Sequence, residues 1–445
     1  MFTLAEVSAW LDLQDFLPSL PIRCVITDSS RAEGGELFVA LKGKQVDGHS
    51  FLEEVARKGA IAALVSMDYH GPDHGLKLIH VPNVIEALQK MAKNRLASLN
   101  PRIIGVTGSV GKTTTKDFLA TLLSARFTIG KSPGNANSQV GLPTALLNFA
   151  GDEEVLVLEM SMSEPGQIAK LVDIAPPEVA VITKIGYSHT QLFVNGIDGI
   201  AEEKAEIFSH PSTKWGIASF QAGKFPVVCA NGFAKKLLVG DNLEADVSFI
   251  KESSSVVRIE MGKESSGPVA LPFTASHLID NFVLAAVAAR LFGLSFREIA
   301  ERAQHLKIYK NRFELVEKKG ILFLNDSYNA SPESMRAALD NLPAVQGKKI
   351  AVFGEMPELG QYWHSAHREI ATYALPLVDY LLCYGAGCMP MVDVFSSAGK
   401  PVEFIQEFSD LKKRVYALAK IGDLVLLKGA NFNKLWRILE EEVSR

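Results

Sequence analysis

Gly108-Ser109-Val110-Gly111-Lys112-Thr113 sets two glycines, a lysine and a hydroxyl side by side, the side-chain set that holds a polyphosphate. Glycines let backbone N–H groups turn inward onto phosphate oxygens. Lys112 would neutralise the β- and γ-phosphates of ATP, and the Thr113 hydroxyl, followed by Thr114, would face Mg²⁺. A standard Walker A loop carries a further glycine at the place of Val106, so this is the shorter GxxGKT form. Ile103 to Thr107 reads as a buried strand and Thr113 to Leu123 as a helix, which puts the loop where a helix N-terminus attracts anions. The alternative is a tight strand–helix turn with a solvated lysine.

Three further residues could join such a site. Glu159 follows the apolar run Val155-Leu156-Val157-Leu158, at the C-terminal strand end where open α/β sheets bind ligands. It is either a metal ligand or a strand-end carboxylate satisfied by a neighbouring lysine. His189 sits similarly beyond the run Val179 to Thr183, and a lone histidine there can equally be structural. Lys204, in Ala201-Glu202-Glu203-Lys204-Ala205-Glu206, reads by pattern alone as a solvated helix face with internal charge pairs.

Positioning these residues requires alternating strands and helices. Short apolar runs at Ile61 to Val65, Val155 to Leu158, Val179 to Thr183, Ile350 to Phe353 and Leu424 to Leu427 alternate with amphipathic stretches. That rhythm predicts α/β layers with largely parallel sheets. One boundary is expected at Pro82-Asn83, before a helical pattern over Ile85 to Ala97. A second is expected near Lys307 to Arg312, after the alanine-rich stretch Asn281 to Phe292 and before a strand at Ile321 to Leu324.

At 445 residues the chain is too long for one core, and three domains are expected. The net charge of -4 gives no footprint for nucleic acid or an anionic membrane. The N-terminus has no basic segment ahead of an apolar one, so a cytoplasmic location is expected. The most lipid-like stretch, Tyr380 to Val392, lies between Asp379 and Asp393 and falls short of the ~20 residues a spanning helix needs. Cys24, Cys229, Cys383 and Cys388 form no CxxC pair, and reduced, buried thiols are expected.

Taken together and in order, Thr107 to Thr113, Glu159, His189 and Lys204-Ala205-Glu206-Ile207 resemble the Mur ligases. The resemblance implies an α/β protein of three domains: a UDP-sugar-binding domain over residues 1–83, a central P-loop ATPase-like parallel sheet over 84–310, and a Rossmann-like domain over 311–445. In the first block, Thr27-Asp28-Ser29-Ser30-Arg31, Lys42-Gly43 and Asp47-Gly48-His49 are similar to the segments that hold the UDP-sugar; Ser30 occupies the family's usual arginine slot, with Arg31 beside it. In the second, the resemblance gives Thr113 and Glu159 to a first Mg²⁺, His189 to a second, and makes Lys204 a carbamylated, metal-facing group. Asn135 and Asn137 resemble a substrate loop, and Asn281 the asparagine set against adenine. Lys184 and Leu278 stand where the family commonly has asparagines. In the third, Arg312 would reach the terminal phosphate, Asp326 the ribose, and Ser327-Tyr328-Asn329 the substrates.

Phe353-Gly354-Glu355-Met356-Pro357-Glu358-Leu359-Gly360, with His364 and His367 after it, resembles the branch of the family that adds D-alanyl-D-alanine to UDP-N-acetylmuramoyl-tripeptide, a step in building peptidoglycan. The implied chemistry is ATP-dependent amide formation through an acyl phosphate, with Mg²⁺ as cofactor and the protein acting as a monomer. A folylpolyglutamate-synthase-like ligase and a nucleotide-binding switch without net chemistry are the competing expectations.

Overall fold

The structure, a computed structural model, describes residues 2–14, 17–43 and 45–440; Met1 and residues 441–445, at the outer ends of the first and third expected domains, lie outside them. Beside a two-stranded antiparallel pairing of Phe2–Thr3 with Pro21–Ile22, three larger sheets succeed one another along the chain. The first is parallel throughout, with strands in the order Val25–Ile26, Leu37–Val39, Ala62–Ser66 and Lys77–Val81. Side chains alternate between its faces, as strand geometry dictates. Leu37, Val39, Ala62 and Leu64 point to one core and Phe38, Ala63 and Val65 to another.

The expected break at Pro82-Asn83 is a helix start. Asn83 caps the helix Val84–Leu99 by accepting from the N–H groups of Ile85 at 3.0 Å and Glu86 at 3.2 Å, which satisfies donors that lack an intrahelical partner. Leu88, Met91 and Ala92 of this helix share one apolar cluster with Leu142, Leu146 and Leu147 of the central block. The first sheet therefore rests on the second through a continuous core.

The central sheet runs Ile129–Lys131, Val155–Glu159, Arg102–Thr107, Val179–Ile182, Trp215–Ser219, Lys235–Gly240 and Val247–Ser253, all parallel, then Val256–Met261 antiparallel, with the short strands Glu264–Ser265 and Val269–Ala270 antiparallel on its outer side. Parallel strands covered on both faces need continuous apolar runs, which is why Val155 to Leu158 and Val179 to Ile182 were readable. The strand leading into the glycine loop lies between those bearing Glu159 and the approach to His189. The helix Lys112–Leu123 packs on Ser276–Leu291, and Phe118 stacks on Phe273 with ring centres 5.2 Å apart. That second helix begins at Ser276, ahead of the expected Asn281.

The third sheet has Ile321–Asp326, Leu424–Lys428, Lys349–Gly354, Tyr380–Tyr384 and Val402–Ile405 in parallel, with Glu314–Lys318 antiparallel at one edge, a Rossmann-like arrangement. The lipid-like stretch resolves into the buried strand Tyr380–Tyr384 and the start of the helix Met389–Ser397. Among the described residues no helix is long and apolar enough to cross a membrane. All four cysteines are free; Cys383 and Cys388 are buried as expected, but Cys24 is half-buried and Cys229 exposed.

Candidate active site

The glycine loop joins Arg102–Thr107 to Lys112–Leu123. Gly111 adopts φ +88, and a Cβ there would sit 2.4 Å from Asn281 Oδ1; a Cβ on Gly108, at φ +147, would meet Thr183 Oγ1 at 2.0 Å. Both positions need glycine for backbone conformation and for space. The loop is also tied to the next strand's end: Ser109 N donates to Lys184 O at 2.6 Å, and Ser109 Oγ donates to Gly186 O at 2.9 Å while accepting from Gly186 N at 3.0 Å. Gly111→Ala is expected to destabilise the fold by on the order of 1–3 kcal/mol and to weaken ATP binding roughly tenfold or more. Thermal melting and nucleotide titration check both; unchanged ATP affinity would remove Gly111 from the site.

Lys112 Nζ donates to Gly108 O at 2.8 Å. Burial pushes its pKa below the ordinary lysine value, with the Glu159 carboxylate acting in the opposite sense. Beside it, Glu159 is 2 % exposed and accepts from Thr113 Oγ1 and from Asn137 Nδ2, each at 2.7 Å. Arg312, on the C-terminal side, donates to the same Thr113 Oγ1 at 3.0 Å. One hydroxyl thus links residues far apart in sequence.

Lys116 escaped the sequence reading. Its side chain is buried, and Nζ donates to Ser132 O at 2.7 Å, while Ser132 Oγ accepts from Glu159 N at 3.0 Å. The available signal was its position four residues after Lys112, on the same helix face.

The helix Gly196–Ala205 corrects the solvated-face reading of its polar run. Glu203 and Lys204 are 7 % and 1 % exposed. The Glu203 carboxylate accepts from Gly166 N and Ile168 N, both at 2.6 Å, capping the helix Gln167–Ile174. Lys204 has no hydrogen bond or ion pair to its Nζ among the described residues. Burial, and next the positive charge of Lys112, hold its pKa well below the ordinary lysine value, against opposing pulls from Glu203 and Glu159. A buried amine whose charged form is disfavoured, with two carboxylates acting against that, is the result.

Lys112, Thr113, Glu159 and Arg312 meet at a cavity of about 640 Å³, whose lining does not include Lys204. Ser109, Val110, Gly111, Lys112, Thr113, Thr114, Asn135, Asn137, Glu159, His189 and Asn281 line it from the central sheet, and Arg312, Asp326, Tyr328 and Asn329 from the C-terminal side. The Arg312 guanidinium lies 4.1 Å from the centre of the Tyr328 ring, and Lys428 Nζ lies 2.7 Å from Asp326 Oδ2. Burial lowers the pKa of His277, also in the wall, to about 4, so its imidazole is neutral. Of the two departures, Lys184 reaches Asp280 at 3.6 Å and Leu278 is buried in the wall.

Not every expected residue faces this space. Gly108 is absent from the lining and acts through loop shape. Ser327 is turned inward, with Oγ donating to Asn325 Oδ1 at 2.6 Å. Ser29, Ser30, Arg31, Lys42, Gly43 and Asp47 stand apart, beyond the C-terminal ends of Val25–Ile26 and Leu37–Val39. There the Ser30 hydroxyl donates to Asp28 at 2.7 Å and that of Ser29 to Glu54 at 3.2 Å, and Arg31 and Lys42 are exposed.

Thr113 Oγ, Asn137 and Glu159 offer oxygen donors, and among the described residues no cluster of three His, Cys, Asp or Glu side chains could cage a metal. That set fits Mg²⁺, which keeps water and phosphate oxygens in its shell rather than a full protein cage.

Comparison with known proteins matches all three blocks in order. Residues 21–96 match the Mur ligase family catalytic domain, 106–289 the Mur ligase middle domain, and 311–431 the Mur ligase glutamate ligase domain. The UDP-N-acetylmuramoyl-tripeptide–D-alanyl-D-alanine ligase of Bacillus subtilis (strain 168) is 34% identical over 432 residues, covering 95% of this chain and 93% of that one. Among solved structures, MurF from Acinetobacter baumannii aligns with a TM-score of 0.86 at 25% identity over 98% of each chain. The MurF ligase from Thermotoga maritima in complex with ADP aligns at 0.80 with 30% identity, over 95% of this chain and 97% of that one. With likeness running from the first sheet through the third, the chain belongs to the Mur ligase family.

Proposed function

We propose that this chain joins D-alanyl-D-alanine to UDP-N-acetylmuramoyl-tripeptide at the expense of ATP, through an acyl phosphate. The observation that carries the reading is the Arg312–Thr113 contact at 3.0 Å, which brings a C-terminal guanidinium onto the phosphate loop. A carboxylate does not acylate an amine directly, because oxide is a poor leaving group. The tripeptide's terminal carboxylate first attacks the γ-phosphorus. Lys112 and Arg312 then neutralise charge on the transferring oxygens, which is electrostatic work by positioned cations.

Thr113 and Glu159 would hold Mg²⁺, with His189 at a second such ion; bound there, the cation neutralises phosphate charge. Lys204, as its neutral amine, takes up carbon dioxide with loss of a proton and becomes an anionic carbamate. Asn281 faces adenine, Asp326 the ribose, and Asn135, Asn137, Tyr328 and Asn329 the peptide. Arg31 and Lys42 suit the UDP pyrophosphate. The amine of D-alanyl-D-alanine then attacks the acyl phosphate, and the tetrahedral species collapses to amide and orthophosphate. Closure over the cavity keeps water from the acyl phosphate meanwhile.

Orthophosphate release should require ATP, UDP-N-acetylmuramoyl-tripeptide and D-alanyl-D-alanine together. ATP cleavage indifferent to both acceptors would overturn the proposal. Release with folate and glutamate would favour the folylpolyglutamate-type alternative, which the match of residues 21–96 to a Mur ligase domain speaks against.

A further inference from the structure

The C-terminal side touches the central one at a second place, well along the chain from Arg312. The Glu358 carboxylate lies in close contact with Nδ1 of His189, without the alignment of a hydrogen bond. Around it, Glu358 O accepts from Gln191 N at 3.2 Å and Leu359 O accepts from Thr190 Oγ at 3.1 Å. A Cβ on Gly360 would come within 2.9 Å of Gln191 Cα, so the two backbones meet with no room for a side chain. Tyr187 and Tyr362 pack with ring centres 5.2 Å apart. The segment carrying Glu358 is itself fixed from behind: His367 is fully buried, its Nε2 accepts from Met356 N at 3.1 Å, and its Nδ1 is 2.7 Å from Trp363 O.

Both partners of this contact are non-glycine residues in the left-handed region, His189 at φ 59 and Glu358 at φ 60. A half-exposed ion pair by itself contributes about 0–1 kcal/mol, which does not account for two unfavourable backbones meeting at one point. Such conformations cluster at clamps and switches, where surrounding contacts hold them. His189 lines the cavity, and a carboxylate on Nδ1 leaves Nε2 free. A carboxylate behind a ligating histidine fixes the ring's orientation and raises its basicity.

We propose that Glu358 is a positioning residue, an interdomain latch that orients His189 toward its cation when the C-terminal domain closes. This rests on the role given to His189 above. Closure and completion of the second cation site are then the same event: an open molecule holds nucleotide with an unoriented His189, and the closed one presents Nε2 at the phosphate end.

The test uses the full chain, Mn²⁺ as the probe, a non-hydrolysable ATP analogue, and UDP-N-acetylmuramoyl-tripeptide. Wild type, Glu358→Gln, His189→Gln and the double variant are compared by Mn²⁺ titration in electron paramagnetic resonance and by the Mg²⁺ concentration giving half-maximal orthophosphate release. Glu358→Gln should weaken the second Mn²⁺ by roughly 10–100-fold and raise the Mg²⁺ requirement in step. In the His189→Gln background the same change should add nothing, since a residue acting through another is non-additive with it. Unchanged Mn²⁺ binding, or fully additive effects, overturns the latch. Wild-type turnover without both acceptors would instead strike the underlying functional reading, and the latch with it.

Discussion

Lys112→Ala is expected to cut orthophosphate release by roughly 10³-fold or more, given that one electrostatic donor at a developing charge is typically worth about 10²–10³ in rate and a full cation on the transferring phosphoryl group exceeds a neutral donor. The loss should fall on kcat more than on ATP affinity. In the structure Lys112 Nζ caps the carbonyls of Gly108 and Ser109 at 2.8 and 3.4 Å, so it already sits inside the loop that wraps the phosphates. Backbone N–H groups and Arg312 would still hold ground-state nucleotide, whereas charge on the equatorial oxygens during transfer would lose its nearest cation. Single-turnover phosphate release and a separate ATP titration distinguish the two effects. A variant that keeps most of its rate would sink the loop assignment.

The glycine loop was legible because everything it needs is local. A strand, two residues free to take positive φ, and a helix start all lie between Arg102 and Lys112. Strand ends were legible for the same reason, since a continuous apolar run is the mark of a strand covered on both faces. Lys204 was opaque to pattern reading. Its neighbours Glu202, Glu203 and Glu206 make the segment polar, and only tertiary packing turns Glu203 onto Gly166 and Ile168 and buries the amine beyond it. Only the family resemblance singled the residue out, where periodicity pointed to solvent.

Local partners also bear on other expected residues. The hydroxyls of Ser30 and Ser327, both expected at ligands, are bonded two residues away, to Asp28 and Asn325, since short polar side chains often take a local partner. The contacts made by Lys116, and the meeting of Glu358 with His189, join segments that no single window contains. Sequence spacing gave His189 a place beyond its strand without revealing what approaches it from the C-terminal side.

Lys204 yields the second large effect. Lys204→Met removes the amine while nearly keeping the volume, and it exchanges a desolvated polar group without a hydrogen-bond partner among the described residues for an apolar one, a change that is often neutral or stabilising. The melting temperature should therefore hold or rise while ligation falls by about 10²-fold or more, on the order of removing a charge-stabilising group from the reacting centre. That opposition between stability and rate separates a chemical role from a structural one. Lys204→Ala goes further by leaving space where the modified side chain would have ended. If the carbamate is what acts, formate or acetate should enter that space and restore part of the rate in a saturable way, with no recovery in the methionine variant, whose side chain fills it. Undiminished turnover in either variant would refute the role of the amine. Loss without any carboxylate rescue would leave the lysine in place as an essential amine and remove the carbamate.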